Sequence, residues 1–576
     1  MSAVLTRFLP ILDWGRHYKR ADLGPDLTAG LTVGAMLVPQ GMAYAQLAGL
    51  PPEIGLYSVT LPLLVYAFFG TSRQLAVGPV AVVSLVTATA LAPIAEQGTV
   101  AYMKAAALLA LLVGVINIVL GLIRMGWVTN LLSHSVLVGY TAAAAIIIAT
   151  SQVKHILGVK IPRTEGWVET VKELIHSIDA TKVLTLVIGL ASLAALILLK
   201  RWRKTFPGAL AVVLLGVAAS VVFNLSDRGV GVVGEIPGGL PGIALPHFGN
   251  GLVGTLLPAA LIITVVGYAE SIAVAKTYAR RNRYEVDPNQ ELVALGASNV
   301  AAGVLSGQPV TGGFSRTAVN ATAGARTPLA SIISAILIVL VLLVATGLFT
   351  HLPQAVLGAI VIAAVASLID THEMRHIIKV KRSDTLTMAV SFIATLLLGV
   401  EVGLGVAVLA SIAVVVTRLM NPHSAEVGQL PGTGTYRNLS RFPEAVRRPD
   451  IGILRIDVSL NFANANFLKQ RLRQLEADHP EGLRAIVLDG AGVNDMDASA
   501  EATLSDLLSE YQERGVEVHL ANMKGPVRDV LIRSGLWQRL GSGRTHPSVQ
   551  AAVAAIDEPG ASVPADHRAS GVDERG

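Results

Sequence analysis

The sequence predicts a polytopic α-helical membrane protein that ends in a small soluble α/β domain, and three observations carry that prediction. Of 576 residues, 52% are apolar and only 15% charged, with a mean hydropathy of +0.59; a soluble fold of that composition could not cover its surface. Stretches free of Asp, Glu, Lys and Arg succeed one another from Leu27 to Thr417. After residue 450 the pattern changes to short alternating strands and helices.

Residues 1–26 carry Arg16, Lys19 and Arg20 among Asp13, Asp22 and Asp26. No cleavable signal is recognisable ahead of the first span, so this segment reads as a cytosolic, interfacial leader. Residues 27–420 are the expected transmembrane domain. A bilayer core needs roughly 20 apolar residues per helix, and Ala105 to Ile123, Val183 to Leu199 and Thr205 to Ser226 are the clearest spans. The uncharged run from Thr327 to Ile369 is too long for one span and is broken near Gly347 and Pro353. Divided this way, the region holds about fourteen segments, some short or interrupted by Gly and Pro.

The placement of basic residues orients these spans. With the N-terminus cytosolic, even-numbered spans end on the cytosolic side, and cations collect there. Arg73 follows span two, Arg124 span four, Lys200, Arg201, Arg203 and Lys204 span six, Arg280, Arg281 and Arg283 span eight, Lys379, Lys381 and Arg382 span twelve, and Arg418 span fourteen. The net charge of +5 therefore reflects topology rather than a uniform basic surface. With no cysteine in the chain, disulfides, thiolate metal sites and cysteine nucleophiles are excluded.

Residues 421–449 contain Pro, Gly and Arg without sustained periodicity and read as a linker. The soluble domain follows over 450–557. Ile451 to Val458, Ala485 to Leu488 and Val516 to Ala521 read as strands, and Asn464 to Glu476 and Ala500 to Arg514 as helices. The tail, 558–576, has the composition of a disordered segment.

Between Pro39 and Pro79 the sequence becomes specific. Pro39-Gln40-Gly41-Met42-Ala43-Tyr44-Ala45, Leu50-Pro51-Pro52-Glu53-Ile54-Gly55-Leu56-Tyr57-Ser58, Gly70-Thr71-Ser72-Arg73-Gln74 and Val77-Gly78-Pro79 closely resemble the signature blocks of the SulP family of anion transporters and sulfate permeases. The C-terminal unit resembles that family's STAS domain, so the likeness covers nearly the whole chain. It implies two inverted seven-helix repeats arranged as core and gate subdomains, a homodimer, and transport of a small anion.

Inverted repeats should leave matched irregularities in each half. Ser72-Arg73-Gln74-Leu75-Ala76-Val77-Gly78-Pro79 precedes a helix-compatible run in the first half, and Ser306-Gly307-Gln308-Pro309-Val310-Thr311-Gly312-Gly313 does so in the second. Gly and Pro at membrane depth are tolerated where extended backbone lines a polar cavity. Two half-helix N-termini facing each other would offer free N–H groups and about half a positive charge apiece, which suits an anion.

Three groups of side chains complete the expected site. Gln40 and Tyr44, four apart on the first span, share a helical face; by residue type alone Tyr44 could equally be packing, whereas in SulP relatives the matching positions line the anion site. Pro79 and Val80 match the family's third-span contribution. Phe314-Ser315-Arg316-Thr317 matches a Ser-Arg pair that the family places at the substrate cavity, making Arg316 a fixed positive charge; the alternative is a snorkelling interfacial arginine.

Glu270 lies within Val266-Gly267-Tyr268-Ala269-Glu270-Ser271-Ile272-Ala273, and an acid at the centre of a span costs about 3 kcal/mol on insertion scales. Such acids face cavities, pair or titrate. Burial and a neighbouring Arg316 would act on its ionisation in opposite senses. Proton-coupled SulP relatives carry a Glu here, which favours proton symport; a static Glu270–Arg316 pair is the structural alternative.

His372-Glu373-Met374-Arg375-His376 fits the H-E-x-x-H zinc pattern. Its surroundings, Arg375, Lys379, Lys381 and Arg382, would repel a dication, and no third ligand follows at a recognisable spacing, so an interfacial amphipathic linker is the better reading. In the soluble domain, Val487-Leu488-Asp489-Gly490 and Asp495-Met496-Asp497-Ala498-Ser499-Ala500 resemble the STAS strand and the loop opening its next helix. The position phosphorylated in related bacterial anti-sigma antagonists is Ala498 here, and Ser499 is expected to cap the helix instead.

The reading is a secondary anion transporter, a proton symporter of sulfate, bicarbonate or a C4-dicarboxylate, with an exchanger or an uncoupled channel as the alternative; a membrane-anchored sensor would need no paired broken helices. No enzymatic activity, cofactor, metal or nucleic-acid partner is expected. The expected partners are the anion, protons, the bilayer, a second copy, and a regulatory protein or nucleotide at the STAS-like domain. The expected location is the cell inner membrane, with the N-terminus and STAS-like domain cytosolic.

Overall fold

The computed structural model of the chain describes residues 8–127, 133–161, 166–202, 207–240, 242 and 251–558. Arg203 and Lys204 and nearly all of the tail 558–576 lie outside the described residues. The chain divides into two compact units, 1–412 and 413–576.

The membrane unit opens with α1 (Ile11–Trp14) and α2 (Arg20–Leu47), followed by α3 (Pro52–Tyr57), α4 (Leu61–Phe69), the short strand β1 (Val77–Gly78), α5 (Ala81–Leu91), α6 (Val100–Leu122), α7 (His134–Leu157), α8 (Trp167–His176), α9 (Val183–Trp202) and α10 (Gly208–Val222). A second series repeats the order: α11 (Leu252–Asn282), α12 (Pro288–Val304), strand β2 (Thr311–Gly312), α13 (Phe314–Thr322), α14 (Leu329–Leu340), α15 (Gln354–Val365), α16 (Thr371–Val380), α17 (Arg382–Leu398) and α18 (Val400–Met420). In each series a long helix, α2 or α11, is followed, after α3 and α4 in the first and after α12 in the second, by a two-residue strand leading into a short helix. Among the described residues, seven helices are long and apolar enough to cross a membrane by length and composition. Two short helices begin where the strands end, α5, with 11 residues, and α13, with 9.

Lipid is the partner this surface calls for. Val183, Leu198, Leu215, Val344, Leu386 and Leu409 are each at least 65% exposed, an apolar exterior that water would not tolerate on so many helices. Between helices, where no hydrophobic drive exists in lipid, small residues permit close contact. Along α6 and α12, a Cβ at Gly114 would lie 2.7 Å from the Val300 nitrogen, one at Gly121 2.8 Å from the Asn289 carbonyl oxygen, and one at Gly296 2.7 Å from that of Gly114. Gly114 and Gly121, seven apart on α6, meet α12 in a seam of backbone against backbone. Along α2 and α14 the contact is lopsided: Gly30 stands against the Ala330 carbonyl, and Ser334 donates to the Gly30 carbonyl at 2.7 Å. Helices α2, α5, α6 and α11–α14 pack in one group and α7, α9, α10, α15 and α17 in another, the core and gate division.

The C-terminal unit is built on a sheet of order β4-β3-β5-β6-β7-β8: β3 (Ser424–Gln429), β4 (Tyr436–Asn438), β5 (Ile451–Ile456), β6 (Ala485–Asp489), β7 (Glu517–Ala521) and β8 (Thr545–His546). From β5 to β8 the strands are parallel. Helices α19 (Ala465–Ala477), α20 (Ala498–Glu513), α21 (Gly525–Arg533), α22 (Leu536–Leu540) and α23 (Val549–Asp557) complete the unit. The linker expected over 421–449 is corrected here. Ser424, Ala425 and Glu426 pair antiparallel with Ile456, Arg455 and Leu454, and Val427 to Gln429 pair with β4. Their polar composition hid them because β4 is an edge strand and only one face of β3 enters the core, where Val427 is buried.

Candidate functional site

The two irregular segments meet. Val77 pairs with Gly312 and Gly78 with Thr311, antiparallel, so the chain of the first half and that of the second run past each other in opposite directions. Each then enters a helix, α5 from Val80 and α13 from Gly313, and neither helix has a side-chain cap. The first intrahelical bonds are Ser84 N–H to Val80 and Thr317 N–H to Gly313. The N–H groups before them, on Ala81, Val82, Phe314 and Ser315, precede that ladder and are the orphan donors of a helix start.

Glycine is required at this crossing. A Cβ at Gly312 would lie 2.6 Å from Leu75 Cδ1 and 2.9 Å from Ser271 Oγ, and one at Gly313 2.7 Å from Arg316 Nη2. The guanidinium folds back over the strands. Arg316, 2% exposed, donates from Nη1 to the Pro79 carbonyl and from Nη2 to those of Gly78 at 3.1 Å and Thr311 at 3.4 Å, while Nε has no partner. It is therefore not a snorkelling arginine. It braces the ends of both strands and leaves one donor over.

The other expected residues sort around it. Tyr44 is 6% exposed and lies within electrostatic range of both Arg316 and Glu270; Gln40, one turn earlier on α2, is buried with Oε1 unpartnered. Helix α2 packs against α5 and α13. Val80 is buried at the start of α5, whereas Phe314 is 51% exposed and Ser315 is exposed. The Thr317 hydroxyl is committed to backbone: it donates to the Gly313 carbonyl and accepts the Ala76 N–H.

Glu270, on α11, is half-buried. It is close enough to Arg316 for a coulombic interaction, but the guanidinium's hydrogen bonds go to the carbonyls of Gly78, Pro79 and Thr311 rather than to this carboxylate. Its neighbour Ser271 ties α11 to the crossing. Ser271 Oγ accepts the Gly312 N–H at 2.8 Å and shares a 2.7 Å hydrogen bond with Thr311 Oγ1, and both hydroxyls lie within bonding distance of the Gly267 carbonyl.

Two fully buried acids escaped the sequence reading. Glu291 on α12 accepts from Tyr66 Oη (2.7 Å), Thr71 N–H (2.7 Å), Thr71 Oγ1 (2.6 Å) and Ser72 N–H (3.1 Å), holding the segment that leads into β1. Asp26 accepts from Arg326 N–H, Thr327 N–H and Thr327 Oγ1, holding the segment that follows α13. Gln74 links the two regions by donating to the Ala325 carbonyl and accepting from Tyr284 Oη. Glu291 had a signal: it is the only acid in the 17 residues of α12, the same criterion that singles out Glu270.

Outside this site, Glu373 of the H-E-x-x-H stretch bonds His134 at 3.0 Å. In the C-terminal unit the expected cap is corrected: α20 begins at Ala498, and Asp497, not Ser499, caps it by accepting the Ala500 N–H at 2.8 Å. A carboxylate just before the first turn, on extended backbone, satisfies that donor, so Ser499 falls inside the helix.

The family model described as the sulfate permease family matches residues 23–391, and the STAS domain model matches 442–552. The chain belongs to the sulfate permease family. This permease is 39% identical over 563 residues to the chloroplastic sulfate transporter 4.1 of Arabidopsis thaliana, covering 94% of this chain and 82% of the relative. It is 36% identical over 541 residues to a probable sulfate transporter of Mycobacterium tuberculosis, covering 94% and 96%. Among solved structures, the murine Solute Carrier 26 family member A9 anion transporter in its inward-facing state superposes with a TM-score of 0.88 at 27% identity, over 97% of this chain and 95% of that one. The permease is accordingly a multi-pass membrane protein that transports anions, with a C-terminal STAS domain, and belongs among transporters rather than enzymes.

Proposed function

We propose that this permease is a proton-coupled symporter of a small oxyanion, sulfate foremost, working by alternating access. The anion is held between the N-termini of α5 and α13, beside Gln40, Tyr44, Pro79, Val80, Phe314, Ser315 and the spare Nε of Arg316. The observation that carries this reading is the antiparallel pairing of β1 with β2, which directs two uncapped helix starts at one place, where orphan N–H donors and dipoles favour an anion. Sulfate comes first because it is named in the relatives that match most of this chain. On the same reading the protein is a homodimer in a cell inner membrane, with residues 1–26 and the STAS domain cytosolic, and Thr317 shapes the site through backbone.

Glu270 is the proton carrier. A negative carboxylate near the crossing repels the anion, and its protonation removes that repulsion, so anion and proton each favour the other's binding. The test is anion uptake into proteoliposomes, with sulfate, bicarbonate and a C4-dicarboxylate, with and without an imposed proton gradient. Wild-type sulfate uptake should rise under an inward proton gradient. Glu270→Gln should bind sulfate, keep the wild-type melting temperature because Arg316 bonds elsewhere, and lose the response to the gradient. Wild-type uptake indifferent to the gradient would assign the protein to exchange or uncoupled conduction.

A further inference from the structure

Helix α16 joins two membrane helices, α15 and α17, and so lies where hydrocarbon meets water. Asp370 starts it by accepting the N–H groups of His372 and Glu373 at 3.1 and 2.9 Å. One side is pinned to the protein: Ile377 is buried and Glu373 bonds His134 of α7. The other is open. His372, Arg375, His376 and Lys379, at offsets of three, four and seven residues, share one helical face and are all exposed, and the exposed Lys381 and Arg382 continue the row past the helix end.

This row has no protein counter-charge among the described residues. Among the described residues, no ion pair or hydrogen bond engages the side chains of Arg375, Lys379, Lys381 or Arg382. The nearby acids are committed elsewhere, Asp370 to the helix start, Glu373 to His134 and Asp384 to the Ser383 hydroxyl. Exposed Ile378 and Val380, at 53% and 65%, flank the cations. Four unpaired cations at the membrane boundary, flanked by apolar side chains, match the chemistry by which a surface helix grips negatively charged headgroups. Lipid phosphates are also the anions that any helix at this depth must meet.

We propose that the open face of α16 is a binding surface for anionic phospholipid headgroups, held by Arg375, Lys379, Lys381 and Arg382. The site is independent of the transported anion. Because α16 lies in the connection between α15 and α17, both of which pack on α7, headgroup occupancy sets the position of these gate helices and thereby the transport rate.

The test uses the full chain in vesicles of phosphatidylcholine with graded phosphatidylglycerol. It reads quenching by brominated phosphatidylglycerol, lipid retained after detergent washing, and anion uptake. Wild type should enrich phosphatidylglycerol around itself, less so as salt rises, and transport faster as its fraction grows. Each cation removed should weaken that enrichment about five-fold, the equivalent of about 1 kcal/mol. The combined variant Arg375→Gln, Lys379→Gln, Lys381→Gln, Arg382→Gln should show neither enrichment nor lipid-dependent uptake, whereas exchanging Arg for Lys and Lys for Arg at the four positions should retain both. If the combined variant fails to fold, Lys379→Gln alone should still show the single-cation loss. Wild type without preference for phosphatidylglycerol, as it would be if another part of the chain covers the row, overturns the proposal, as does a folded Gln variant that keeps the wild-type preference.

Discussion

The two halves of the membrane unit build the same backbone device with different side chains. In the first half, β1 leads into α5 through Gly78, Pro79 and Val80, contributing carbonyls and apolar surface but no charge. In the second, β2 leads into α13 through Gly312 and Gly313, and Arg316 in its first turn supplies the cation that binds the carbonyls of both. Support is exchanged in the same way. The approach to β1 hangs from Glu291 in the second half, and the exit from α13 hangs from Asp26 in the first. Inverted repetition thus supplies two uncapped helix starts at one crossing, while the charge is supplied once and shared by cross-bonding.

The largest effect should come from breaking that cross-bond. Arg316→Ala leaves three carbonyls of the crossing without their charged donor. It should abolish transport and lower stability by about 3 kcal/mol or more, read as uptake and melting temperature in detergent. Arg316→Lys restores the charge without the planar fork and should be intermediate. An Ala variant that melts like wild type would show that the crossing stands without its brace.

Next come the two carboxylate anchors. Glu291→Gln turns an acceptor of four bonds into a group with one acceptor oxygen and should cost about 3 kcal/mol; Asp26→Asn, with three bonds to lose, about 2 kcal/mol. Equal melting shifts would mean that the halves are held equally. The helix seams give a smaller contrast. Gly296→Val drives methyl groups into the Gly114 backbone and should cost about 2 kcal/mol, whereas Ser334→Ala on the lopsided seam loses one hydrogen bond, about 1 kcal/mol. Thermal melting of both variants checks the order.

The smallest effect lies outside both halves and separates a pH response of the STAS domain from the one proposed for Glu270. His519 and His546 stack with centroids 5.2 Å apart, with His519 Nδ1 and His546 Nε2 3.0 Å apart, and burial holds both imidazoles below their ordinary value of 6.5. Folded, they resist protonation to lower pH; unfolded, they take up protons as pH falls through about 6.5. Their contribution is therefore complete above that pH and lost below it, under about 1 kcal/mol per histidine at pH 6. Amide protection at Leu520 and Asn522, which donate to the Arg544 and His546 carbonyls, should fall over this range after correction for intrinsic exchange. His546→Gln should flatten the dependence, with sulfate uptake still responsive to the proton gradient.

Chain composition and charge placement determined by themselves that the protein enters a membrane, that a soluble α/β domain follows, and that two Gly- and Pro-rich segments occupy matching positions in two halves. These properties are additive along the chain or local to a few residues, so they survive without a fold. Glu270 stood out as an ionisable group in apolar surroundings, and Arg316 through the resemblance of its stretch to the family's Ser-Arg pair. Who binds them did not: Arg316 meets Gly78 and Pro79 across more than 200 residues, and Thr71 meets Glu291 across 220. The strand at Ser424–Gln429 was likewise invisible until Ile456 lay beside it. Only the tertiary structure decided these partners, because a buried polar group takes whichever donor or acceptor packing brings within about 3 Å, and distance in space leaves no mark in a single sequence.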